Sequence, residues 1–328
     1  MSARSTHSCT ARAHSNIALI KYWGKRDDRL KLPAVGSISI TLDALYSDTR
    51  VSFFPGAAQD SVDIGGRKTD PAPFTAFLDL VRARAGIDYR ARVESWNNFP
   101  TGAGLASSAS GFAALALAAT RAAGLDLDAR ELSILARQGS GSAARSLFGG
   151  FVEMHRGTRD DGSDAFAEPM LDAAEWPLDI VVAITDRAPK TVNSSTGMSG
   201  LADRSDYYNA WVSHADGDLD AMRESIAARD FETVGALAEM SCLKLHGLMM
   251  STRPGLIYWN PATVAAMQAV RALRSDGVPV YFTIDAGPQV KAICPPEHTA
   301  TVEQALAGVP GVLDTRRSAL GPAAYVLD

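Results

Sequence analysis

Apolar positions recur along the chain with two periods, and the change from one to the other marks its elements. Ile17, Leu19 and Ile20 make residues 15–22 a strand running into a loop at Trp23 and Gly24, and residues 37–42 and 50–54 read as short alternating strands. Residues 71–85 place Phe74, Phe77, Leu78 and Val81 on one side of a helix. Residues 106–123, rich in alanine, carry the strongest helical pattern in the chain. Another helix over 128–138 stops at Gly139, and Ser142 is placed to cap a short helix closed by Gly149 and Gly150.

Residues 178–184 form the short apolar run of a buried strand, and the composition turns polar around Asp186. That change sets an expected division into 1–185 and 186–328. Beyond it the pattern predicts helices at 205–213, 219–228, 231–250 and 261–275, then a strand at 279–284. A tight turn over Asp285-Ala286-Gly287-Pro288 leads to a return strand at 289–294, a last helix at 298–307 and a closing strand at 323–327. There is no internal repeat and no low-complexity segment. Strands and helices mixed in two halves imply an α+β architecture with a cleft between the domains.

The chain has 328 residues, 46% of them hydrophobic and 21% charged, with a formal net charge of −5. That charge, with no block of Lys or Arg, argues against a general nucleic-acid binder. Cations gathered in one cleft can still bind a polyanion. Cys9, Cys242 and Cys294 are widely spaced and lack metal-ligand spacing, as expected of inert thiols in a reducing compartment. No apolar run reaches membrane length, and residues 1–7 lack a signal-peptide core, so a cytoplasmic protein without membrane contact is expected.

Five constellations carry candidate chemistry. In the run from Asn97 to Gly111, Gly102 and Gly104 let the backbone approach a ligand closely, and Ser107 and Ser108 fall in the first helical turn, where N–H groups and the helix dipole attract anions. The ordinary alternative is a close-packing device. No Gly-Lys-Ser/Thr follows, so any phosphates need cations from elsewhere. Lys21 and Lys25, with Tyr22 and Trp23 between them, read either as a solvated face or as ammonium groups walled by aromatic rings. Ser140, Ser142 and Arg145 form a second Gly/Ser loop, either a helix cap with a surface arginine or hydroxyls and a guanidinium fork for a carboxylate or phosphate. Asp285 is either a hairpin-corner residue or a general base facing a cationic cleft. Lys190, followed by hydroxyl residues, is either in a solvated linker or an anion clamp, whereas His14 and His246 read as structural.

The run Ala13-His14-Ser15-Asn16-Ile17-Ala18-Leu19-Ile20-Lys21-Tyr22-Trp23-Gly24-Lys25-Arg26 strongly resembles the opening of the diphosphomevalonate decarboxylases, within the galactokinase, homoserine, mevalonate and phosphomevalonate kinase superfamily. Residues 97–111 resemble that family's phosphate loop, 139–150 its substrate loop and 285–288 its catalytic corner. The resemblance implies an N-terminal ribosomal-protein-like βαβ domain and a C-terminal ferredoxin-like domain. It further implies ATP-dependent decarboxylation of mevalonate 5-diphosphate to isopentenyl diphosphate in isoprenoid biosynthesis, with ATP, Mg2+ and a homodimer.

By position, Asp285 matches the acid that orients or deprotonates the 3-hydroxyl, Arg145 the arginine on the substrate carboxylate, and Lys21 the nearby catalytic lysine. Tyr22, Lys25, Ser140, Ser142 and Arg145 become the candidate substrate contacts. Gly102, Gly104, Leu105, Ala106, Ser107, Ser108 and Lys190 become the nucleotide contacts, with Ser107 and Ser108 also the candidate metal ligands. One stretch departs from the family: Val35 and Gly36 stand where a polar pair is usual. Mevalonate 5-phosphate is therefore the alternative substrate, ahead of a 3-kinase or a non-catalytic nucleotide-binding relative.

Overall fold

The computed structural model describes residues 8–100, 104–188 and 190–327; Gly102 of the expected phosphate loop lies outside them. The first sheet is built from β1 (Ser8–Ile20) and β4 (Ser37–Phe54), with the small hairpin β2 (Lys25–Asp27) and β3 (Leu32–Pro33) between them. Residues 37–54 were expected to form two short strands. They form one, because β1 pairs along its whole length. A register shift separates the pairs His14↔Tyr46 and Asn16↔Thr41, with residues 42–45 of β4 bulged between them. On its other side β4 meets β7 (Arg90–Asn97) along one half and β8 (Phe151–Met154) along the other. β5 (Ser61–Ile64) pairs with β7 and with the edge strand β6 (Arg67–Thr69), and β9 (Ala167–Leu171) is the edge beyond β8.

Three helices cover this sheet: α1 (Ala72–Ala85), α2 (Ser107–Ala122) and α3 (Ala129–Gly139). Helix α2 buries every residue from Ala113 to Ala119, alanines apart from Leu115 and Leu117, which brings its backbone close to the strands. Helix α3 starts at a full capping box between Asp128 and Glu131. The short helix expected from Ser142 is a 3₁₀ turn over Gly141–Leu147. Ser140, not Ser142, precedes it, without a side-chain cap, because the chain leaves α3 directly into the turn.

The second sheet has β10 (Asp179–Ile184), β11 (Tyr281–Thr283), β12 (Val290–Cys294) and β13 (Asp314–Ala319), all antiparallel and ordered β11-β12-β10-β13. Between β10 and β11 run α4 (Ser194–Met198), α5 (Leu201–Arg204), α6 (Tyr208–Ala228), α7 (Phe231–Met250) and α8 (Pro261–Ser275). α9 (Thr299–Ala307) joins β12 to β13. Strand–helix–strand–strand–helix–strand in this spatial order is the ferredoxin-like pattern. Its first strand is β10, on the far side of the division expected at 185/186. β14 (Tyr325–Val326) returns to pair with β1 in the first sheet.

The break expected around residues 214–218 is absent, and α6 runs through Gly217. A mid-helix glycine costs about 1 kcal/mol. Burial of Ala215, Leu219, Met222 and Ile226 offsets it, and Asp218 on the same helix accepts Lys244 Nζ from α7 at 2.7 Å. A single apolar cluster spans both sheets, joining Ile17, Leu19, Ile38 and Ile40 to Ile180, Val182, Met222 and Ile293. That shared core fixes the two halves around the cleft.

Candidate active site

A cavity of about 700 Å³ lies in the cleft. Its wall brings together Lys21, Tyr22, Lys25, Gly104, Ala106, Ser107, Ser108, Ser140, Ser142, Arg145, Lys190 and Asp285, candidates from every one of the five constellations. Leu105 is not among its lining residues: its side chain is buried in the shared core, and its carbonyl accepts from Ser15 Oγ at 3.1 Å.

Lys21 follows the last residue of β1 and is 1% exposed. Its amide donates to Ser241 Oγ of α7 at 2.9 Å. Its ammonium donates to Ala18 O at 2.7 Å and to Asp285 Oδ1 at 2.8 Å. Asp285 stands just past β11 in the tight turn, where its carbonyl accepts from Gly287 N at 2.7 Å and lies 3.2 Å from His246 Nε2. Lys291 of β12 reaches the second carboxylate oxygen at 3.4 Å.

Burial pushes the Asp285 carboxyl up, but Lys21, Lys291 and Arg145 outweigh it and hold the group well below the usual carboxylate range. Burial pushes His246 down to about 3, with Lys21 adding to the effect, so its imidazole is neutral beside the corner. The structural role expected of His246 thus has a definite object, the backbone of Asp285.

Arg145 lies in the 3₁₀ turn and is 3% exposed. Nη1 donates to Ser37 Oγ at 2.7 Å, and Nε and Nη2 to Asn16 Oδ1 at 3.3 and 3.1 Å. Asn16 in turn donates to Ser142 O and Ser146 Oγ, tying β1 to the 139–150 loop. Burial lowers Arg145 to about 10, which leaves it cationic at neutral pH. Ser140 and Ser142 face each other at 3.4 Å between their hydroxyls. Tyr22 packs its ring on Gly141, where any Cβ would come within 2.6 Å of the phenol oxygen. The buried Tyr22 hydroxyl has no hydrogen-bond partner among the described residues, and burial raises its pKa, so it is a phenol donor facing the cavity.

The far side of the cavity is the nucleotide-phosphate candidate. Gly104 has φ +82°, and Ala106 caps α2 in the left-handed conformation at φ +59°, with no side-chain cap. The first turn of α2 therefore opens on the cavity with Ser107 and Ser108 at its lip. Lys190 donates to Ser194 Oγ at 2.9 Å and to Ala286 O at 2.8 Å, and burial lowers it to about 8. Lys25 bonds Asp28 at 2.8 Å and Ser195 at 3.3 Å.

Among the described residues no group of three His, Cys, Asp or Glu could hold a metal ion. The Ser107 and Ser108 hydroxyls and one carboxylate, beside a phosphate cradle, suit Mg2+ carried largely by phosphate oxygens. The three cysteines are buried thiols outside any disulfide, and burial raises Cys242 to about 11, so its thiol is inert.

Several residues escaped the sequence. Lys291 had a signal, a lone lysine in the apolar run of β12. Lys31 lines the cavity, donates to Gly139 O and lies 5.7 Å from the centre of the Phe112 ring, but it sits in a polar turn that gives no such signal. Ser37 is an unremarkable strand serine until the fold sets it against Arg145. The departure at Val35 and Gly36 is packed inward: Val35 is 1% exposed, and a Cβ at Gly36 would meet Leu219 of α6 at 2.8 Å.

A model of the "Diphosphomevalonate decarboxylase-like N-terminal domain" matches residues 13–167, and one of the "Mevalonate 5-diphosphate decarboxylase C-terminal domain" matches 180–317. The chain belongs to the diphosphomevalonate decarboxylase family. A phosphomevalonate decarboxylase of Haloferax volcanii is 38% identical over 97% of both chains. A diphosphomevalonate decarboxylase of Candida albicans is 35% identical over 86% of this chain and 83% of its own. A solved structure described as "MDDEF in complex with MVAPP, AMPPCP and Magnesium" is 38% identical, with a TM-score of 0.91 over 99% of this chain and 100% of the other. Both family domains thus meet at the cavity. Among the described residues no helix is long and apolar enough to cross a membrane.

Proposed function

We propose that the protein catalyses ATP-dependent decarboxylation of mevalonate 5-diphosphate, giving isopentenyl diphosphate, ADP, phosphate and CO2. The observation that carries this is the Asp285–Lys21 pair at 2.8 Å, in one cavity with the buried Arg145 fork and the N-terminus of α2. A tertiary hydroxide is a poor leaving group, so the 3-oxygen first takes the terminal phosphoryl of ATP. The step needs alignment and charge neutralisation more than covalent help. Mg2+, when bound, supplies part of that neutralisation on the phosphates. An Asp285 carboxyl held so low is a weak base: it aims the hydroxyl and accepts its proton as the new P–O bond forms.

Phosphate then leaves with the C–O electron pair. The electrons of the C–CO2 bond move in to form the double bond, and CO2 departs. Arg145 holds the carboxylate in line for this. Three of its N–H groups are taken by Asn16 and Ser37, leaving one on each terminal nitrogen for the substrate. The Tyr22 phenol, Lys25, Ser140 and Ser142 supply donors for the 5-phosphates, and Lys190 with the first turn of α2 for the nucleotide.

A second reading, mevalonate 5-phosphate as substrate, is favoured by the apolar Val35-Gly36 pair and by the Haloferax relative. Purified protein with ATP, Mg2+ and each mevalonate derivative, with ADP and CO2 both measured, separates the two. ADP without CO2 defeats both. A cytoplasmic homodimer accompanies the proposal, and sedimentation of the purified chain tests the dimer.

A further inference from the structure

Lys291 is the one charged residue of β12 and is 2% exposed. A buried ammonium is costly unless it is held by acceptors. Its Nζ donates to Gly104 O at 3.1 Å and to Asp285 Oδ2 at 3.4 Å, while Lys21 holds Oδ1 at 2.8 Å. One lysine follows β1 of the first sheet and the other lies in β12 of the second, and they grip opposite oxygens, so the carboxylate plane is fixed against rotation.

We propose that Lys291 is a positioning residue of the reaction, whose ammonium ties the nucleotide-phosphate turn at Gly104 to the carboxylate of Asp285. One group thereby sets how far the transferring phosphoryl lies from the carboxylate that aims the hydroxyl. The inference rests on the ATP-dependent chemistry proposed above. The groups around Asp285 are Lys21 just after β1, Lys291 from β12, Arg145 from the 3₁₀ turn, Lys190 from the loop after β10, and Cys242 and His246 from α7. Loss of Lys291 leaves the carboxylate ionised by the remaining cations but free to turn.

The test compares Lys291→Met, Lys291→Gln and Lys291→Arg, each checked for folding by thermal melting. The readouts are the pH profile of kcat and the Kd of a non-hydrolysable ATP analogue measured without turnover. The expected Met and Gln results are a kcat lower by about 10- to 100-fold, an acid limb moved to higher pH, and analogue binding weakened several-fold. Lys291→Arg restores most of each. A folded Met or Gln variant with the wild-type acid limb and analogue affinity overturns the proposal. If those two do not fold, Lys291→Arg decides alone: retained analogue affinity and acid limb support the charge tie, and their loss in a folded Arg variant overturns it. Wild-type protein that binds the analogue but releases no CO2 defeats the decarboxylase proposal and leaves the affinity comparison standing.

Discussion

Gly104 and Gly287 meet backbone to backbone. A Cβ built on Gly104 would lie 3.0 Å from the Gly287 Cα, and one on Gly287 would lie 2.8 Å from the Gly104 Cα. The turn at Gly104 and the corner at Asp285, far apart in the chain, therefore touch with no room for a side chain. Gly104 adds a φ of +82°, a conformation costing an L-residue about 1–2 kcal/mol.

Gly104→Ala should accordingly lower the melting temperature and push the turn away from Asp285. Displacement on the scale of an ångström costs about 100-fold in turnover. The expected result is that loss in kcat/KM for ATP, read from steady-state kinetics alongside a melt. An alanine variant with wild-type kinetics would show that the contact does not set the phosphate position.

Asp285→Asn keeps the shape of the corner and removes the charge between Lys21 and Lys291. With the hydroxyl no longer aimed and its proton without an acceptor, turnover should fall by about 10²- to 10⁴-fold. The cavity becomes more cationic, so affinity for an anionic substrate should hold or rise. Isothermal titration with substrate and a coupled ADP assay measure the two separately. Turnover within a few-fold of wild type would remove Asp285 from the chemistry.

How much of this was legible follows from the range of each interaction. Helices α7 and α8 match the residues read from periodicity, because burial of one face and an Asn260 capping box are local signals. The single strand β4 and the uninterrupted α6 were not legible: pairing with β1 and packing of Leu219 come from distant segments. Gly/Ser loops and a lysine pair marked the site because such residues are unusual together. The partners that orient the chemistry, Ser37 on Arg145 and Lys291 on Asp285, are ordinary residues. Their meaning exists only once β4, β12 and the 3₁₀ turn converge.

Ser37→Ala tests one of those partners. It strips Arg145 Nη1 of its acceptor, and an unsatisfied buried donor costs about 1–3 kcal/mol. The guanidinium should then swing, raising KM for the mevalonate substrate while leaving analogue affinity for nucleotide near wild type. Arg145→Lys should not rescue function, since an ammonium cannot reach Asn16, Ser37 and a substrate carboxylate together. A lysine variant with wild-type KM would contradict the fork geometry.

Lys190 gives the site an alkaline limit. Burial lowers it to about 8, and Asp285 only partly restores it. Its ammonium is present below that pH and lost above it, so nucleotide phosphates should bind best on the acid side. Affinity for an ATP analogue should fall by up to about tenfold per pH unit above 8, the slope of a single proton linked to binding. Arg145, lowered only to about 10, stays charged through this window. Lys190→Arg should extend the plateau toward pH 10, and Lys190→Met should weaken binding at pH 7 and flatten the limb. An unchanged limb in the methionine variant would assign the titration to another group and leave Lys190 without a direct part in holding the nucleotide.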